Sequence, residues 1–238
     1  EGFASFIATL AKNSMAEKPS DNPFERNYES YINLVHSQKE EPLTTHGDRY
    51  AENRTYSVQS YVKGSIFLSQ LGYVIGQDKL MQTLHRFYQD FKFKHPTPND
   101  IMRTAEKVSG VELEWYLNDW TRTTNTIDYG IKEVAADGDG TKVTMERIGQ
   151  MPMPVDVLVI YNDNTQETFY APLRMMYGGK ENPYTNLKRT VLPNWAWAYP
   201  TYEFTIDRPQ SDIKAVVIDP SQLMADVEWE NNIWQATP

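Results

Sequence analysis

Residues 121–130 read TRTTNTIDYG, and the fold turns on them. Upstream, apolar residues recur at three and four. Downstream, from about Asp128, they alternate every second position. A period near 3.6 marks a helix with one buried face, and a period of two marks a half-buried strand. A run of helices followed by a run of strands suggests separate domains. The polar stretch between them is therefore the boundary, with residues 1–126 helical and residues 127–238 built of strands.

Working back from the boundary, Leu113, Trp115, Leu117 and Trp120 predict a short last helix. Before it, HPTPND (residues 95–100) has the chemistry of a helix start. Thr97 can cap, Pro98 suits the first turn, and Asp100 can accept a backbone N–H. That helix carries Ile101, Ala105 and Val108 and stops at Gly110. Residues 78–91 predict another, through Leu80, Leu84, Phe87, Tyr88 and Phe91. Residues 58–74 predict a third, with Ile66, Leu68 and Leu71 on its apolar side. The preceding TTHGDRYAENRTYSV is polar and without period, and reads as a loop. Phe24, Tyr28, Tyr31, Ile32 and Val35 mark a helix ending near EEPL, and Phe3, Phe6, Ile7 and Leu10 mark one over residues 1–12.

Beyond the boundary, Val143 and Met145 alternate in TKVTMERI, and Val155, Val157 and Val159 alternate in PVDVLVIY. ETFYAPL, YEFTI and IKAVVID are further strands. This half has the length and turn chemistry of a small β-sandwich. MMYGGKENPYTN reads as a long, mobile-looking loop, and ENNIW as a closing turn or an edge. In WAWAY, a strand would line up Trp195, Trp197 and Tyr199 on one face. Sandwich core or an interdomain contact is the commoner use of such a stripe, and ligand binding the other.

The totals describe an ordinary folded protein: 40% of residues are apolar and 23% charged. The formal charge of -9 offers no basic surface for nucleic acid. Cysteine is absent, which excludes disulfides, thiolate metal sites and a cysteine nucleophile. No apolar run is long enough to span a membrane, and no signal peptide is visible. The four histidines, His36, His46, His85 and His95, do not pair at metal-ligand spacing. There is no HExxH, no G-x-S-x-G, no phosphate loop and no dinucleotide fingerprint. By motif alone, the chain holds no complete active site.

Two stretches add to this. The chain opens on EGFASF, and residues 54–71 read RTYSVQSYVKGSIFLSQL. In this order, followed by helices and then strands, they resemble the zinc metallopeptidases of the aminopeptidase N family, gluzincins that include leukotriene-hydrolase-like enzymes. The resemblance covers almost the whole chain. It implies an α+β multidomain fold, the helical C-terminal part of a thermolysin-like catalytic domain followed by a small β-sandwich. Family members carry HExxH on one helix and a third zinc ligand, a glutamate, in a stretch like NEGFA, which matches Glu1. A later Y-x-K-G carries a catalytic tyrosine where a loop enters a helix, which matches Tyr61. A second tyrosine five residues earlier matches Tyr56, a pocket residue or a brace for the loop.

The implied chemistry suits these residue types. A catalytic zinc takes three protein ligands and leaves one position for water. The metal lowers the pKa of that water and polarises the carbonyl. The tetrahedral intermediate needs a donor where its oxyanion forms, and a phenol O–H serves without adding formal charge. That is the role implied for Tyr61. Lys63 is expected to snorkel or to pair with an acid, and Gly64 to permit close helix packing. Residue type alone reads these positions more plainly. Glu1 is then a solvated acid at a helix start, and Tyr61 a rim residue with a wet phenol.

The sequence departs from the family where HExxH and the motif that holds the peptide's free amine are missing. The expectation is the C-terminal portion of a longer zinc aminopeptidase acting on peptides, inactive alone and binding no zinc by itself. Its first helix is expected to be frayed or repacked, and the open face covered by a second copy as a homodimer. Residue preference stays open, as does location, with the periplasm, cell envelope or outside implied for a bacterial parent. The alternatives are a peptide- or glycan-binding module using the aromatic residues, and a glycosidase fragment using Glu114 and Asp119, which would need two carboxylates flanking a cleft.

Overall fold

The capping residues at the start of the sixth helix show how local chemistry sets these elements. Thr97 and Asp100 close a reciprocal capping box ahead of α6, and Gly110 ends that helix in the left-handed conformation at φ 74°. The structure, a computed structural model, describes residues 1–236. It divides into two units, Glu1–Asn125 and a second beginning at Thr126.

The first unit is helical. Its elements are α1 (Gly2–Ser14), α2 (Glu25–His36), α3 (Asn53–Ser57), a π-helical turn (Val58–Lys63), α4 (Gly64–Ile75), α5 (Gln77–Phe91), α6 (Pro98–Ser109) and α7 (Glu114–Arg122). α4 is buried on every side from Ser65 to Ile75, so it is the helix around which the others pack. Ile66, Leu68, Leu71 and Val74 are buried from water, as are Tyr31, Leu80, Ala105, Leu113 and Tyr116 of the surrounding elements.

One expectation fails here. Residues 53–57 are helical, and α3, the π-turn and α4 follow one another without a break, so the loop ends earlier than read. The reason is a buried stripe made of the wrong residues. Thr55, Gln59 and Lys63 lie four apart and are 2%, 0% and 1% exposed. The spacing is helical, but the side chains are polar, so a hydrophobicity pattern passes over them.

The second unit is β-rich. One sheet has the order β1 (Tyr129–Asp137), β2 (Gly140–Arg147), β6 (Thr201–Ile206). The other has the order β5 (Lys188–Val191), β4 (Gln166–Ala171), β3 (Val155–Tyr161), β7 (Ile213–Ile218), β8 (Ile233–Gln235). Pairing is antiparallel except between β4 and β5. Val143 and Met145 face inward from one sheet, Val155, Val157 and Val159 from the other. Phe169 of β4 and Phe204 of β6 join the two inner faces, with ring centroids 4.9 Å apart.

WAWAY is not a strand. Trp195 makes a single bridge to Leu173, and the chain then turns, with Tyr199 N–H bonded to the Ala196 carbonyl. Trp195 is buried between Tyr129 and Tyr202, while Trp197 and Tyr199 are exposed. The three rings therefore share no face. MMYGGKENPYTN is anchored rather than loose. Lys180 reaches the buried Asp156 at 2.5 Å, and Arg189 donates to the Lys180 carbonyl at 3.0 Å. ENNIW is both a turn (Trp229–Asn232) and the start of the edge strand β8.

Candidate active site

The site begins with two glycines. A Cβ placed on Gly2 would lie 2.4 Å from the backbone carbon of Gly64. The start of α1 and the start of α4 therefore touch backbone to backbone, which only glycine allows. That contact brings the residue before α1 onto the turn before α4. Glu1 occupies the N-cap position of α1, yet its side chain makes no capping bond. Its carboxylate lies close enough to Tyr61 to act on the phenol.

Tyr61 lies within the π-turn, not at the end of a loop as expected. It is 43% exposed. The charge of Glu1 pushes the phenol pKa up, and partial burial, the Glu1 hydrogen bond and Tyr56 add to the effect. The group is thereby kept as a neutral O–H donor. Tyr56 lies in α3, half-exposed, its ring edge-on to Tyr50 at 5.5 Å.

The opposite side of the turn is dry. Lys63 does not snorkel. Its ammonium meets Glu40 at 2.5 Å, with both side chains nearly inaccessible to water. The charge also lies 5.5 Å from the Trp120 ring and 5.9 Å from the Tyr31 ring. Burial pulls the Lys63 pKa down and pushes that of Glu40 up, and each partner opposes the other's shift. The Gln59 amide donates to the carbonyl of Glu41. Sequence reading missed Glu40 and Glu41. The signal that could have found the stripe was the polar triplet four apart.

Beside Glu1 a groove of ≈ 680 Å³ is walled by Phe3, Phe67, Phe87, Pro98 and Ile101. His46 is engaged within its own turn, its Nδ1 accepting from the Asp48 N–H at 3.2 Å. Asp119 accepts from Asn125 in a local contact, and Glu114 is exposed at the start of α7. A zinc site needs three protein ligands. Among the described residues, no group of three His, Asp or Glu converges to supply them. Glu1 offers one carboxylate and no second ligand, so these residues do not fit a complete zinc site. No helix among the described residues is long and apolar enough to cross a membrane.

No curated protein matches the chain by sequence. Among solved structures, the chain is similar to aminopeptidase A of Legionella pneumophila, determined in complex with aspartic acid. The TM-score is 0.53 at 12% identity, over 95% of this chain and 23% of that one. Identity so low shows the fold alone, a helical region followed by a β-rich one. The family model described as "Peptidase family M1 domain" matches residues 1–120, which carry Glu1, Tyr56 and Tyr61. That match spans half of the sequence, and the chain belongs to peptidase family M1.

Proposed function

We propose that this chain is part of a zinc-dependent aminopeptidase that hydrolyses N-terminal peptide bonds. In this reading, residues 1–126 are the helical portion of a thermolysin-like catalytic domain and residues 127–238 a β-sandwich domain. The observation that carries the proposal is the contact between Tyr61 and Glu1, fixed by the backbone packing of Gly2 on Gly64. Family membership supports it.

Glu1 would be one metal ligand, and a catalytic zinc would need two more. Zinc in such a site supplies an activated water and polarises the scissile carbonyl. The part played by this chain is to hold a neutral phenol where negative charge develops. Tyr61 would donate its O–H to the oxyanion that forms when the carbonyl is attacked. Tyr56, near enough to act on the Tyr61 phenol, would belong to the same site. One carboxylate does not make a metal site, so the chain alone is expected to be inactive. The aromatic-stripe alternative has lost its stripe, because Trp195 is core and the chain turns after it.

The test is Tyr61→Phe in a zinc-loaded peptidase containing this sequence. Turnover is expected to fall roughly 10²- to 10³-fold, the usual cost of an oxyanion donor, while zinc content stays constant. Unchanged turnover would remove Tyr61 from the mechanism and the proposal with it.

A further inference from the structure

The π-turn that carries Tyr61 is gripped from behind. Gln59 and Lys63 are its two buried polar residues, and both are held by one loop. The Glu41 carbonyl accepts from the Gln59 amide, and the Glu40 carboxylate takes the Lys63 ammonium. Tyr61 lies between them in sequence and is exposed on the other side. π-turns are uncommon insertions in α-helices and recur at functional sites. One residue more or fewer in the winding rotates a helix face by about 100°. The Gly2–Gly64 contact fixes the helix just after the turn. If the turn relaxed to regular α winding, Tyr61 would swing away from Glu1 while α4 stayed in place.

We propose that Lys63, Glu40 and Gln59 are positioning residues for Tyr61. Their buried contacts hold the π-turn in the winding that points the phenol at Glu1. This rests on the reading of Tyr61 as the oxyanion donor, but its geometry can be tested apart from that reading.

Glu40→Gln with Lys63→Met removes both charges and leaves neither buried alone, a replacement that is often neutral for stability. In this chain, the NMR contact between the Tyr61 ring and the Glu1 side chain is expected to disappear while unfolding stays cooperative. Lys63→Arg, which keeps the charge opposite Glu40, is expected to retain the contact. An undiminished contact in the folded double variant overturns the proposal. If the double variant does not fold, Gln59→Leu removes one grip only. The contact should then weaken, and an unchanged one again overturns the proposal. In the zinc-loaded peptidase the double variant should lower kcat on the order of 10- to 100-fold, as misplaced catalytic groups do. KM should be unchanged, and Lys63→Arg should recover the rate. If Tyr61→Phe leaves turnover intact while the NMR contact behaves as described, the functional reading falls and the positioning role stands.

Discussion

Lys63 meets Glu40 at 2.5 Å in the helical unit, and Lys180 meets Asp156 at 2.5 Å in the strand unit. Both pairs are buried, and both ammonium groups lie near aromatic rings, Trp120 and Tyr31 in one case and Tyr170 in the other. They differ in what surrounds them. Glu40 is the carboxylate that acts on Lys63. Around Lys180 the charges are shared more widely. Arg189 lies 3.8 Å from Asp156, and Asp219 is close enough to feel the field of Lys180. The first pair grips the turn that carries Tyr61. The second ties down a loop. The same chemistry is a single pair in one unit and a shared cluster in the other.

Removing the acids should expose that difference. Glu40→Ala leaves a buried ammonium with no carboxylate beside it, and is expected to cost about 3–5 kcal/mol in urea unfolding. Asp156→Ala leaves the Asp219 carboxyl in the field of Lys180, and is expected to cost less than Glu40→Ala by the same measurement. Equal losses, or the reverse order, would break the comparison.

Two smaller changes sharpen it on the helical side. Gly2→Ala puts a methyl into the backbone of Gly64, which cannot yield as a flexible side chain would. A loss of roughly 1–3 kcal/mol is expected, with faster amide exchange confined to α1. Exchange as slow as in the parent would show that α1 does not depend on the glycine contact. Thr97→Ala touches neither pair and removes only the cap of α6. About 1 kcal/mol is expected in thermal unfolding, which sets the scale for an ordinary local interaction here. A larger effect would mean that α6 carries more of the unit than its cap suggests.

What the sequence made legible was local. The Thr97–Asp100 box and the Gly110 stop involve neighbours along the chain, and both are found as read. The alternation in β2 and β3 is written in valine and methionine. β5, KRTV, carries no such pattern, because its pairing with β4 is a matter of backbone position at an edge. WAWAY alternates like a strand, yet the turn after Trp195 overrides the pattern. Glu1, Tyr56 and Tyr61 were legible only through family resemblance. The approach of Glu1 to Tyr61 spans most of the first helices and leaves no periodic trace. Lys63 was hardest, because lysine is a surface residue by default and its partner lies 23 positions away.

The parallel pairing of β5 on β4 has a kinetic consequence. Hairpin-linked strands such as β3 and β4 can zip from a short turn. β5 must instead close the intervening residues 172–187 before its first hydrogen bond forms, and the entropy of that closure comes early. Lys180, halfway along, docks on Asp156 of β3 and divides one long closure into two shorter ones. β5 is therefore expected to join β4 after the β3–β4 hairpin has formed. Until it does, the open edge of β4 is the place where this chain is exposed to misassociation during folding.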